Sequence, residues 1–297
     1  MTFWLGCAIW AYKDWVGELF PLGSRASQFL ALYSRRFTAV EGNTTFYSVP
    51  TAATVQRWAT ETPSGFKFCP KLPRTLTHQG SLTDAIPDTI AFLERMQGLG
   101  DRLGPVFAQL PPSYGPNQLN DLAAFLAAVS AQTTLAVEVR HPGWFRPESA
   151  QLLNDLLTDL GVGRVLLDTR PIYHCPDDPQ LASERRKPKL PLQPVTTAPF
   201  NLVRYISHPD PQYNRPYLQT WAGQVLDWLQ QGQQVYFFVH CPVEQHSPGT
   251  ARQFYHLLAQ QLLTLSQPIG LPPLPWDQVD RATEPDLPEA ATQLTLF

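Results

Sequence analysis

A chain of 297 residues with 43% hydrophobic and 16% charged residues is long enough to bury a full core, and this composition excludes global disorder, collagen and coiled coil. The formal charge of −3 excludes a basic nucleic-acid coat, so any nucleic-acid contact must be local. The apolar stretch from Phe3 to Trp10 has neither a preceding basic residue nor a following small-residue cleavage site, and no run reaches the roughly 18 apolar residues of a membrane helix. Four scattered cysteines do not make a disulfide framework, and the chain reads as cytoplasmic.

In chain order, eight strand-length segments rich in β-branched, aromatic or apolar residues recur: Phe3 to Ile9, Thr38 to Thr44, Phe66 to Lys71, Pro105 to Leu110, Leu135 to Arg140, Arg164 to Asp168, Asn201 to Ile206 and Val235 to His240. Stretches of helical period separate most of them: Gln28 to Arg36, Ala52 to Thr60, Thr89 to Met96, Leu119 to Val129, Ala150 to Leu160, Leu218 to Gln230 and Ala251 to Leu263. Regular alternation of strand and helix implies parallel pairing, and eight units predict an α/β protein with a closed (β/α)8 TIM barrel over 1–265.

Two segments break the pattern. Residues 171–199 hold seven prolines and the basic run Arg185-Arg186-Lys187, which predicts a long surface loop, either a lid over the barrel mouth or an ordinary insertion. From Ser266 to Phe297, six prolines, five acids and one arginine predict a disordered, acidic C-terminal tail of charge −4, which leaves the body near +1.

In such a barrel, working residues stand at the C-terminal ends of the strands. These ends offer Glu41 and Asn43 with Phe46 and Tyr47; Lys71 with Arg74, Thr77 and His78; Gln109; Glu138, Arg140, His141 and Trp144; Asp168; Arg204; and His240 with Cys241. Three carboxylates (Glu41, Glu138, Asp168) with His141 and His240 form a donor set for a divalent metal. Lys71, Arg140 and Arg204 balance those carboxylates, so a salt-bridged pocket without metal or other cofactor is the expectation. The tripeptides His174-Cys175-Pro176 and His240-Cys241-Pro242 invite a zinc site, but adjacent ligands suit tetrahedral zinc poorly, and the cysteines read as buried or loop thiols.

The runs VEGNTTFYSVP, KLPRTLTH, FLERMQGLGDRLGPVFAQLPPSY and LAVEVRHPGWF resemble the YecE-like family (domain of unknown function 72), in order from Gly6 to about Leu263. The resemblance implies a TIM-barrel fold, no established activity, a loose likeness to sugar isomerases and endonuclease-type barrels, and a polar pocket around Glu41, Asn43, Lys71, Thr77, His78, Gln109, Glu138, Arg140, His141, Trp144, Asp168 and Arg204. This chain departs from the family pattern at Gly42, at Ile206, where an imidazole is expected, and at the end of the last strand; His240, on the neighbouring strand, is the expected replacement for that imidazole.

The chain ends Gln293-Leu294-Thr295-Leu296-Phe297, which resembles the bacterial sliding-clamp-binding peptide. Its Gln would set the register while Leu294, Leu296 and Phe297 fill apolar pockets. The expectation is an enzyme, a hydrolase acting on a phosphate-containing nucleic acid or nucleotide and recruited by the DNA sliding clamp. In it Glu138, His141, Glu41 and Asp168 are catalytic, and Asn43, Tyr47, Lys71, Arg74, His78, Gln109, Arg140, Trp144, Arg204 and His240 bind substrate. The alternatives are a sugar-isomerase-like enzyme and a non-catalytic small-molecule or interaction module.

Overall fold

The computed structural model describes residues 2–181, 183, 186–263 and 270–281. Its elements follow the order β1 (Phe3–Cys7), α1 (Phe29–Ser34), β2 (Ala39–Gly42), α2 (Thr44–Tyr47), α3 (Ala52–Glu61), β3 (Lys67–Pro70), α4 (Arg74–Thr77), α5 (Ile86–Met96), β4 (Val106–Gln109), α6 (Leu119–Val129), β5 (Leu135–Glu138), α7 (Pro147–Asp159), β6 (Gly163–Asp168), β7 (Phe200–Ile206), α8 (Pro211–Gln230), β8 (Gln234–His240), α9 (Ser247–Leu262) and α10 (Pro275–Arg281). Prolines in the first turn open α5, α7, α8 and α9, where the missing N–H is not needed.

The strands form a curled parallel sheet of six, in the order β1-β8-β7-β6-β5-β4, and a parallel pair, β2-β3. Backbone bonds join β3 to β4: Gly104 N–H donates to Phe68 C=O (2.7 Å) and Leu72 N–H to Phe107 C=O (2.9 Å). Between β1 and β2, side chains share the work. The Tyr33 hydroxyl accepts from Cys7 N–H (2.6 Å) and donates to Ala39 C=O (3.0 Å), while Thr38 Oγ1 accepts from Leu5 N–H (2.8 Å) and Thr38 N–H donates to Leu5 C=O (3.1 Å). Gly6 is required there, because a Cβ would stand 1.8 Å from the Ala39 carbonyl oxygen.

Two apolar layers result. One lies between the strands and the helices, holding alternate strand residues such as Leu5, Val40, Phe68, Ala108, Val137, Leu166, Val203 and Phe237. The other takes residues of opposite parity from all eight strands: Trp4, Ala39, Cys69, Phe107, Ala136, Val165, Leu202 and Phe238 among them.

Two expectations for the irregular segments change. No regular helix links β6 to β7 among the described residues, as the prolines require, yet the segment is tied down: Thr169 Oγ1 donates to Pro188 C=O (3.1 Å), Gln193 Nε2 to Phe145 C=O (3.1 Å) and Thr197 Oγ1 to Val162 C=O (2.7 Å). The disordered tail expected from 266 does not hold for α10. Leu274 and Trp276 are buried, Trp276 N–H donates to Arg36 C=O (3.1 Å), and Asp277 and Asp280 hold Arg252. Acid-rich, proline-rich composition misleads there because one tryptophan and a basic patch on α9 suffice to anchor seven residues. The clamp-like peptide, Gln293 to Phe297, lies outside the described residues. No described helix is long and apolar enough to cross a membrane.

Candidate functional site

Period-2 alternation builds the site directly on the inner apolar layer. Two residues beyond Ala39, Cys69, Phe107, Ala136, Leu202 and Phe238 come Glu41, Lys71, Gln109, Glu138, Arg204 and His240, so the next inward layer at the C-terminal strand ends is polar. All six side chains are buried. Arg204 is the hub. Its Nε and Nη2 donate to Glu41 (both 2.8 Å) and its Nη1 to Glu138 Oε2, and its guanidinium lies over the Phe107 ring. The second Glu138 oxygen accepts from Arg140 Nε (2.6 Å), and His240 Nε2 meets Glu41 Oε2 at 2.7 Å. His240 turns inward and is in register with Ile206.

The electrostatics follow from this pairing. Burial pushes the Glu41 carboxyl up, but Arg204 and the hydrogen-bonded His240 overcome it and hold it well below the usual carboxylate range. Burial likewise acts against Arg140, Arg204 and Lys71 at Glu138, and the cations win, leaving it at about 2. Burial lowers His240 to about 4, so it is a neutral donor to Glu41. Lys71 differs. Its ammonium makes no ion pair among the described residues; Nζ donates to the neutral Gln109 Oε1 (2.8 Å) and stands 3.6 Å from the Phe46 ring centroid. Burial, reinforced by Arg204, pulls it down to about 6. His78, whose Nδ1 meets Thr77 Oγ1 at 2.8 Å, is lowered by burial and by Lys71 to about 4.

Several expected site residues do not join this network. Asp168 has the parity of the outward face: it accepts from both Nε and Nη2 of Arg170 (2.9 and 2.8 Å) and from Trp221 Nε1 on α8 (2.8 Å). Trp144 is wholly buried and donates to Tyr114 C=O (2.8 Å), so it packs the β5 loop instead of walling a cavity. His141 Nδ1 accepts from Gly143 N–H (2.9 Å) and caps a turn. Asn43 is half-buried, and Arg74 and Tyr47 are exposed.

Sequence reasoning missed Glu244 and left Lys187 in a loop of undecided role. Glu244, four residues past His240, accepts from Ser247 Oγ (2.7 Å), and burial raises it to about 7. Lys187 is lowered by burial and then by Arg204, with Glu244, Glu41 and Arg140 as its other charged neighbours, so the 171–199 loop brings an amine to the network. The cysteines of the two His-Cys-Pro tripeptides are free thiols, Cys241 buried and Cys175 half-buried. His240 engages Glu41, whereas Cys175 lies with Asp177 and His208, their donor atoms within 4.8 Å of one another. That trio suits a metal poorly: His208 Nδ1 accepts from Asp210 N–H (2.9 Å), which puts the ring proton on Nε2 facing Asp177 (3.1 Å), where a ligating imidazole would need a lone pair.

Comparison with known proteins fits this architecture. The family model described as "Protein of unknown function DUF72" matches residues 4–278. UPF0759 protein YecE of Escherichia coli strain K12 is 35% identical over 273 residues, 91% of this chain and 96% of that protein, and so is its counterpart in strain O157:H7. Crystal structures of DUF72 family proteins from Enterococcus faecalis V583 (TM-score 0.65, 19% identity, 91% of this chain and 100% of that one) and Thermotoga maritima MSB8 (TM-score 0.65, 21% identity, 87% and 100%) share the fold. With its family pattern, its fold and two-thirds of its length and more thus matched, the chain belongs to the DUF72 (UPF0759, YecE) family.

Proposed function

We propose that the eight strands form a closed (β/α)8 barrel whose mouth accepts a phosphate-containing substrate, a nucleotide or nucleic acid, and that the C-terminal peptide recruits this cytoplasmic enzyme to the bacterial sliding clamp. Hydrogen bonds across both seams and an inner layer fed by all eight strands support the closure. The observation that carries the substrate class is an amine without a counter-charge, which an anion can restore to the ammonium. With Asp168 turned outward, Glu41 and Glu138 are neutralised by Arg204 and Arg140, while Lys71 holds no carboxylate among the described residues. An incoming anion would be the missing partner, with Lys187, a charged neighbour of Arg204 and Arg140, as a further cation for it. Two fully engaged carboxylates held far below neutrality are poor proton acceptors, so Lys71, near 6, replaces Glu138 as the acid-base candidate.

Calorimetric titration with inorganic phosphate and with a dinucleotide tests the site: saturable binding weakened tenfold or more in Lys71→Met is expected, and equal heats in both proteins would overturn it. For recruitment, removing Gln293 to Phe297 must abolish binding to purified clamp. Complete pairing of both carboxylates also favours a second reading, a binding module without turnover. Phosphate release or strand cleavage by the intact protein would refute it.

A further inference from the structure

We propose that Lys71 is a nucleophilic amine that forms an imine with an aldehyde or ketone carrying an anionic group. The inference rests on the anion-accepting reading above and specifies the reacting partner. Four observations carry it. Among the described residues, Lys71 Nζ has one hydrogen-bond acceptor, the uncharged Gln109 amide oxygen at 2.8 Å. The carboxylates that would hold it as an ammonium, Glu41 and Glu138, are taken by Arg204, Arg140 and His240. One side of the amine faces the apolar Phe46 ring at 3.6 Å. Finally, Lys71 stands one residue past the C-terminal end of β3, bridged to Phe107 of β4, in the buried polar layer at the strand ends where barrel enzymes place their working residues. A desolvated lysine beside guanidinium groups and without a counter-ion is the arrangement that leaves an amine free to attack at neutral pH. Its depression to about 6 agrees with this.

The chemistry balances without a cofactor. The amine lone pair forms the C–N bond to the carbonyl carbon; both amine hydrogens leave with the carbonyl oxygen as water; and the imine nitrogen takes one proton from solvent. The anionic group of the substrate would face Arg140, whose side chain is 17% exposed and so open to solvent at the mouth. Either a small oxo acid or sugar phosphate, or the open-chain aldehyde of an abasic nucleotide, presents this pair of groups.

Borohydride trapping separates these sources. The intact protein is incubated at pH 7 with glyoxylate, with glyceraldehyde 3-phosphate or with a single-stranded oligonucleotide containing one abasic site, then reduced and mapped by peptide mass spectrometry. The expected result is a secondary amine at Lys71, in preference to Lys13, Lys67, Lys187 and Lys189, with at least one of the three; which one reacts assigns the source. The rate at Lys71 should level off just above pH 6, while labelling at the exposed Lys189 should keep rising towards pH 10. Acetaldehyde, which lacks the anion, should label Lys71 at least tenfold more slowly than the anionic carbonyl that reacts. Labelling spread over the exposed lysines with Lys71 unmodified would overturn the proposal. Phosphate binding without trapping would retain the anion site and refute the amine; trapping at Lys71 that inorganic phosphate does not slow would do the reverse.

Discussion

Arg204 is the residue whose loss the structure makes most costly. Replacing it with Met leaves Glu41 and Glu138 buried and, among the described residues, the first with only a neutral imidazole and the second with only Arg140 as a direct partner. Removing one partner from a buried ion pair costs about 3–5 kcal/mol. At about 2.1 cal/mol/K per residue, the unfolding entropy of 297 residues is about 0.6 kcal/mol/K, so the melting temperature should fall by about 5–8 K at pH 7. The pH dependence sharpens the test. In the wild type both carboxyls titrate lower when folded than when unfolded, so their contribution is complete above the unfolded value of about 4.3 and is lost as pH falls towards about 2. In Arg204→Met, burial instead raises Glu41, whose protonation relieves the uncompensated charge, and the gap between the two proteins should narrow from pH 7 to pH 4.5. Glu41→Gln placed in the same variant should recover more than half of the loss, since it removes that charge outright. Thermal melts of the three proteins at both pH values decide the matter. A deficit below about 1 K at pH 7, or one equally large at pH 4.5, would refute the reasoning.

Other outcomes follow from the same structure. Lys71 titrates lower in the folded chain than in the unfolded one, so the cost of burying its charge is greatest below pH 6 and eases as pH rises towards 10; Lys71→Met should therefore gain most in melting temperature over the wild type near pH 6 and least near pH 9. Phosphate binding should take up protons above pH 6 as the anion restores the ammonium, read as a dependence of calorimetric heat on buffer ionisation enthalpy. Gly6→Ala should fail to accumulate as folded protein or lose several kcal/mol in urea melts, because its methyl would overlap the Ala39 carbonyl. Trp276→Ala should release α10 without unfolding the body, seen as new proteolytic cleavage within 270–281 at an unchanged main melting transition.

Strand and helix positions were legible in the sequence because hydrophobic period is a local property: Leu119–Val129 is a helix at the residues its pattern predicts, and all eight strands lie within their predicted segments or one residue beyond them. Parity along the strands was legible too. Counting in twos from the inner apolar residues reaches Glu41, Lys71, Gln109, Glu138, Arg204 and His240, and the same count shows Asp168 to be on the other face. Composition could not reveal that α10 packs, since one buried Trp276 outweighs an acidic, proline-rich surround only when α1 and α9 are near enough to receive it.

What the sequence determined by itself, then, is the alternation of elements and the set of charged residues at the strand ends. Which charges neutralise which was decided only in three dimensions. Arg204 and Glu41 are 163 positions apart, and Glu41 and His240 are 199 apart; no local pattern encodes such pairs. Coulomb interaction in a desolvated layer depends on distances of a few ångströms, and those distances, by consuming both carboxylates, leave Lys71 as the unmatched amine.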